Sequence, residues 1–346
     1  MDTATLAQHR RVYVFAHARS CSHLFYKLLK GHPIFQATEP MTFNNACTLG
    51  TDRQAAYYSR EQTLAALGMS ADEVAHVSWQ SALDEMQKHV ANAESKGKWL
   101  LSMDHPYQLM SFSALRNLLP VSPCDEPAIP VITDRKLDIS PEQSVGLETS
   151  PKHPTNPTLL PDRFFFSFTP IIVIRHPART IPSYVRAVGS VSFPEFPVAA
   201  GNFLLERMFF DSFKAIEEAR AAKEGRAPAM PIVVDTGKLV KDPRGTMRKV
   251  CEALGIDDGP IQYTWEKAEK SSEYRNNDSK VSEVFFGTFN QSTGVIPDHA
   301  RFDKPLDIQE EERLWAEEWD ESVARLLAEK VAAAMEDYEY LLQYSV

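Results

Sequence analysis

The chain has 346 residues, 43% of them hydrophobic and 24% charged, with a formal net charge of −10. That is enough apolar material for a sizeable core, and it excludes wholesale disorder. The acidic balance excludes broad binding to nucleic-acid backbones, which needs a basic face, and leaves room only for a local basic pocket.

Cys21, Cys47, Cys124 and Cys251 stand far apart with no CxxC pair, so neither a zinc site nor a disulfide framework is indicated. Reduced thiols suit a cytoplasmic protein. The first ten residues, MDTATLAQHR, are polar and lack the apolar stretch of a signal peptide. No run approaches the ~20 apolar residues of a membrane span. Triplets of the glycosylation type begin at Asn277 and Asn290 and carry no meaning without secretion.

Arg11–Ala16 (RVYVFA) reads as a buried strand. Ser22–Lys30 follows with helical spacing at Leu24, Phe25, Leu28 and Leu29, and Gly31-His32-Pro33 stops it. From Ser70 to about Ser95 a longer helix is predicted. Ser70 and Glu73 form its capping box, and Val74, Val77, Leu83, Met86 and Val90 its apolar stripe. Trp99–Met103 is a second strand, closing on Asp104-His105-Pro106. The stretch from Pro120 to Pro161 is rich in proline and without periodicity, which predicts a surface excursion that covers a pocket. Pro170–Ile174 is the cleanest strand, and a helix through about Val188 follows it. A helix at about 199–222 comes next, with Leu204, Leu205, Met208, Phe209 and Phe213 on its buried side. Pro231–Val234 is a further strand. Asp242-Pro243 opens a helix that runs to Leu254 and is closed by Gly255. The tail at about 308–344 reads as one long amphipathic helix on Trp315, Trp319, Val323, Leu327, Val331 and Met335. One domain over 1–346 is expected.

Short buried strands alternating with helices predict an α/β protein, a parallel sheet covered on both faces. Ligands of such sheets bind where strands end and helices begin. Three turns therefore carry weight: Arg19–Ser22, Asp104-His105 and Arg175–Ser183. In the first, unpaired backbone N–H groups at a helix start, the Ser20 and Ser22 hydroxyls and the Arg19 guanidinium suit an anion. An ordinary capped turn with a surface arginine is the plainer reading. The turn holds no glycine and no GxxxxGK[ST], so it is not a Walker A loop, and a kinase of that type is disfavoured. Arg175 ends a strand, and Ser183 lies eight residues on, two turns into the next helix. Both can reach one anion. Alternatively, Arg175 caps carbonyls and Ser183 bonds within its helix.

Together the two turns resemble the sulfotransferase family. Its first turn is of the type (Lys/Arg)-Ser-x-(Thr/Ser), matched here by Arg19-Ser20-Cys21-Ser22. Its second element is an arginine at a strand end with a serine eight residues later, matched by Arg175 and Ser183. The stretches FAHARSCSHLFYKLL, NPTLLPDRFFFSFTPIIVIRHPARTIPSYVRA, VKDPRGTMRKVCEALGI and DYEYL are similar to a fungal branch of sulfotransferase-like proteins. The resemblance implies a three-layer, P-loop-type sulfotransferase fold and 3′-phosphoadenosine 5′-phosphosulfate as donor, with no metal. It also implies a small-molecule acceptor, with secondary metabolism as the setting. Arg19, Ser20, Cys21, Ser22 and His23 would surround the 5′-phosphosulfate, and Arg175 and Ser183 the 3′-phosphate. His105, in the place of the family's Lys-Thr-His histidine, would take the acceptor's proton, with Asp104 beside it able to serve or to bias the imidazole.

Three positions depart from the pattern. Met103 stands where a lysine is usual, Cys21 where a glycine is usual, and the C-terminal Arg-Lys-Gly clamp has no clear counterpart beyond Arg301 or Lys304. These departures motivate a competing reading, in which the fold is reused for a cyclisation, a dehydration or another non-sulfuryl reaction. Cys21 as a nucleophile would have only His17 and His23 nearby, and both are expected to line the pocket or face solvent.

Overall fold

Five short apolar strands carry the architecture of the computed structural model. They are β1 (Arg11–Ala16), β2 (Phe35–Ala37), β3 (Trp99–Asp104), β4 (Thr169–Ile174) and β5 (Ile232–Asp235). They form one parallel sheet in the order β2-β3-β1-β4-β5, flanked by helices, as the α/β reading expects. β1, β3, β4 and β5 read as near-continuous hydrophobic runs because a parallel sheet is covered on both faces. The structure describes residues 10–53, 59–115, 130–145, 153–191, 202–267, 280–295 and 306–346. Cys124, Asn277, Arg301, Lys304 and the 120–129 and 146–152 parts of the proline-rich stretch lie outside the described residues.

The chain divides into two compact units. The first comprises Met1–Phe15, Ile34–Pro170 and Met208–Pro231, and the second Ala16–Pro33, Ile171–Arg207 and Ile232–Val346. In the first, Arg11 of β1 lies opposite Leu100 of β3 and Phe15 opposite Asp104. An aromatic core fills the space beside β1. Phe15 meets Phe209 at 4.8 Å, Tyr13 meets Phe168 at 5.0 Å, and Phe165 meets Phe213 at 4.6 Å between ring centroids. Such offset and edge contacts add specificity to the burial.

The predicted 70–95 helix is shorter than expected and spans Trp79–Ser95. Ser70 and Glu73 do bond reciprocally, but they close only a turn. Val74 packs on Leu49 and Leu64 with Val77 beside it, and a second box, Ser78 with Ser81, starts the helix.

Within 130–145, the proline-rich stretch is rooted by ions. Asp138 is 2% exposed, accepts from Arg11 at 2.6 Å and from Arg163 at 2.6 Å, and Arg163 also binds Asp134. Val131 and Val145 stay outside at 87% and 80% exposure, so the segment is held by charge rather than by apolar burial. Arg163→Ala is therefore expected to cost about 2 kcal/mol, the scale of a charged hydrogen bond. Limited proteolysis checks it: cleavage within 130–145 should quicken before the rest of the chain is cut.

The second unit builds its core from β4, β5 and the C-terminal helices. Ile171–Ile174, Val233, Val234, Met247, Val250, Trp315, Leu327, Val331 and Leu341 are buried. The helix Pro243–Leu254 begins at Asp242, whose carboxylate accepts from the Gly245 N–H, and ends at Gly255 in the left-handed region. The tail is two helices, Ile308–Glu318 and Glu321–Leu342, rather than one. The break has a local cause: Asp320 accepts from the Ser322 and Val323 N–H groups and starts a new helix. No helix among the described residues is long and apolar enough to cross a membrane.

Candidate functional site

In the second unit the first turn departs from β1 in an unusual backbone conformation. Arg19 (φ 65°) and Cys21 (φ 62°) are both left-handed. For non-glycine residues this conformation costs roughly 1–2 kcal/mol each, and a glycine at the Cys21 position would avoid that cost. Ser20 is buried, and its Oγ donates to the His17 carbonyl at 2.7 Å. The helix Ser22–Lys30 starts with no side-chain cap and no acid in its first turn, while Lys27 and Lys30 occupy its last turn. Its leading N–H groups therefore keep the positive end of the helix for an anion.

Arg19 links this turn to the second one. Its Nε donates to Ser183 Oγ at 3.0 Å and its NH1 donates to the Phe285 carbonyl at 2.9 Å. The guanidinium lies 5.8 Å from the centre of the Phe285 ring. Arg175 donates through NH1 to the Arg19 carbonyl at 2.9 Å. Burial pulls the Arg19 guanidinium below its ordinary value, Cys21 opposes this and Arg175 adds to it. An arginine keeps its charge through such a shift, so two cations stand at one helix start. Ser183 bonds across elements to Arg19. Arg175 does cap a carbonyl, and the carbonyl is that of the first turn.

His17 departs from its expected place at a pocket wall or in solvent. It is 1% exposed, its Nδ1 lies 3.0 Å from Glu206 Oε1, and its ring meets Phe203 at 4.3 Å. His23 lies 6.1 Å from the Phe289 ring. Two participants were not predicted. Glu206 is a lone carboxylate within FLLERMFF, a signal visible in the sequence. The Phe285 partner is a backbone carbonyl, for which no side-chain signal exists.

The first unit holds the third turn. Asp104 is fully buried at the end of β3. Tyr13 Oη donates to its Oδ2 at 2.8 Å and the Phe43 N–H donates to its Oδ1 at 3.0 Å. Burial pushes its carboxyl up to about 7, against the lowering by the hydrogen bonds from Tyr13, Phe43 and Thr42. His105 is 5% exposed. Its N–H donates to Gln108 Oε1 at 2.9 Å, and Gln108 Nε2 donates to Asn44 Oδ1 at 2.7 Å. The His105 ring stacks on Tyr107 at 5.7 Å. Met103 is fully buried, so its side chain belongs to the core.

Comparison with known proteins gives these turns a common context. A model of the sulfotransferase family matches residues 11–260. Sulfotransferase ppzF of Metarhizium majus is 27% identical over 357 residues, covering 98% of this chain and 97% of that protein. Sulfotransferase ppzF of Metarhizium rileyi is 28% identical over 284 residues, covering 79% of this chain and 77% of that protein. Among solved structures, the sulfotransferase domain from the Synechococcus PCC 7002 olefin synthase is similar, with 16% identity. It covers 94% of this chain and 95% of that chain, at a TM-score of 0.38. With the family model spanning most of its length, including the first and second turns and the end of β3, this chain belongs to the sulfotransferase family.

Proposed function

We propose that the chain transfers a sulfuryl group from 3′-phosphoadenosine 5′-phosphosulfate to a hydroxyl or amine of a small molecule. One observation carries this reading: Arg19, Arg175 and Ser183, from two different turns, are joined by direct hydrogen bonds at an uncapped, acid-free helix start. Two cations and a hydroxyl so arranged suit a bisphosphorylated ligand. Arg19, Ser22 and the leading N–H groups of the Ser22–Lys30 helix are assigned to the 5′-phosphate and to the oxygen that leaves with it, while the buried Ser20 hydroxyl, whose one proton goes to the His17 carbonyl, holds the turn. Arg175 and Ser183 are assigned to the 3′-phosphate. In this reading Arg19 exchanges its bond to Ser183 for a phosphate oxygen, and the Ser183 hydroxyl, which only accepts from Arg19, donates its proton to the second phosphate.

In sulfuryl transfer the sulfur–oxygen bond to the phosphate breaks as the bond to the acceptor forms. Charge spreads over the peripheral oxygens, so positioning and fixed cations do most of the catalysis, as in phosphoryl transfer. His105 is assigned as the base that takes the acceptor's proton, a role resting on the family resemblance. Asp104, with both oxygens engaged, is assigned to support of the His105 turn.

Isothermal titration with 3′-phosphoadenosine 5′-phosphate tests the reading. Binding by the wild type is expected, and Arg175→Ala should weaken it about 100-fold, because the variant loses a charged hydrogen bond to phosphate and the anchor on Arg19. No binding at millimolar nucleotide would overturn it. Reuse of the fold for non-sulfuryl chemistry is favoured by buried Met103, which leaves the end of β3 without the family's lysine. Nucleotide binding with a sulfate mass gain on an acceptor would exclude that reuse.

A further inference from the structure

From the second unit we infer that His17 and Glu206 are a buried positioning pair that holds the Arg19–Ser22 turn in its binding shape; this rests on the donor reading above. The turn contains two left-handed non-glycine residues within three positions, Arg19 and Cys21. Such backbone persists only where its surroundings over-determine it. On one side Arg175 grips the Arg19 carbonyl. On the other, Ser20 Oγ donates to the His17 carbonyl, and the His17 ring is held by Glu206 at 3.0 Å and by Phe203 at 4.3 Å. The turn is thus fastened at both ends.

The pair is a poor way to gain stability. His17 and Glu206 are 1% and 0% exposed, and among the described residues His17 Nε2 and Glu206 Oε2 have no hydrogen-bond partner. A half-satisfied buried pair is commonly worse for stability than apolar side chains of similar size. Orientation of the turn explains its presence better than stability does.

Glu206 is itself immobilised by the DYEYL segment. The next residue, Arg207, donates to Asp337 at 2.9 Å and lies 4.4 Å over the Tyr340 ring, and Tyr338 Oη donates to Asp235 at 2.9 Å. The last helix therefore clamps the first turn of the Phe203–Glu224 helix, and that turn presents Glu206 to His17. His17 and Glu206 act through the turn and are assigned no contact with ligand.

The test uses the double variant His17→Phe with Glu206→Leu, and Glu206→Gln as the conservative one. Three quantities are read: amide hydrogen exchange across 18–24 in the free protein, affinity for 3′-phosphoadenosine 5′-phosphate, and Tm. The double variant should keep or raise Tm, while exchange in 18–24 rises and affinity falls, each by about tenfold or more. Glu206→Gln, which can still accept from His17, should restore both to within about twofold of wild type. Unchanged exchange and affinity in a folded double variant would overturn the inference, as would loosening spread evenly over the chain with a fall in Tm. If the double variant does not fold, Glu206→Asp, one methylene shorter, carries the same readings. If the wild type binds no nucleotide, the donor reading falls while exchange across 18–24 still decides whether the pair holds the turn.

Discussion

His105→Ala is expected to lower kcat about a thousandfold, within the 10²–10⁴ range of a lost general base. Its affinity for 3′-phosphoadenosine 5′-phosphate should stay within about twofold of wild type, because the residues assigned to the two phosphates lie on other turns. The turn around His105 is held by its backbone N–H to Gln108 Oε1 and by Gln108 to Asn44. Single-turnover sulfate transfer to an acceptor that the wild type uses, paired with nucleotide titration, separates the two quantities. A fall in kcat under about threefold would remove His105 from the chemistry.

Asp104→Asn should change how stability depends on pH. The Asp104 carboxyl is raised by burial from 3.8 to about 7. The native state therefore binds this proton more tightly than the unfolded chain does. Between about pH 4 and pH 7 the native state holds the proton and the unfolded state has lost it, so this group's contribution falls as pH rises and levels off above about 7. The full window corresponds to up to about 4 kcal/mol. Asparagine preserves the shape: its carbonyl can accept from the Phe43 N–H, and its amide can donate to Tyr13 Oη. The stability of the wild type relative to the variant should thus decline from pH 4 to pH 7.5, as read by urea titration at several pH values. Parallel pH profiles for the two proteins would contradict it.

Much of the fold was legible because burial on both faces of a parallel sheet writes itself as apolar runs, as in RVYVFA and PIIVI. β2 is not legible in the sequence because Phe35–Ala37 is too short to show any period. The 70–95 helix was overextended because Ser70-Glu73 is a true reciprocal cap, and only packing of Val74 on Leu49 and Leu64 reveals that it closes a turn. The tail was read as one helix because its apolar spacing runs on past Asp320, and the cap at Asp320 outweighed that spacing.

The site was legible where spacing along the chain encodes it. Arg175 and Ser183 stand eight residues apart, at a strand end and within the next helix, and each is joined to Arg19. What spacing could not supply was a partner distant in the chain. His17 is paired with Glu206, 189 residues on, and the Arg19–Phe285 link runs through a backbone carbonyl. Cys21 stands where a glycine is usual, and its left-handed backbone shows that the turn keeps the glycine-like shape with a side chain present.

A structure of the protein with 3′-phosphoadenosine 5′-phosphate bound tests the central claim most directly. The 5′-phosphate should lie on the Arg19–Ser22 turn, with the 3′-phosphate on Arg175 and Ser183 and the Arg19–Ser183 bond broken. Nucleotide bound elsewhere at saturation, with the Arg19–Ser183 bond intact, would contradict the account.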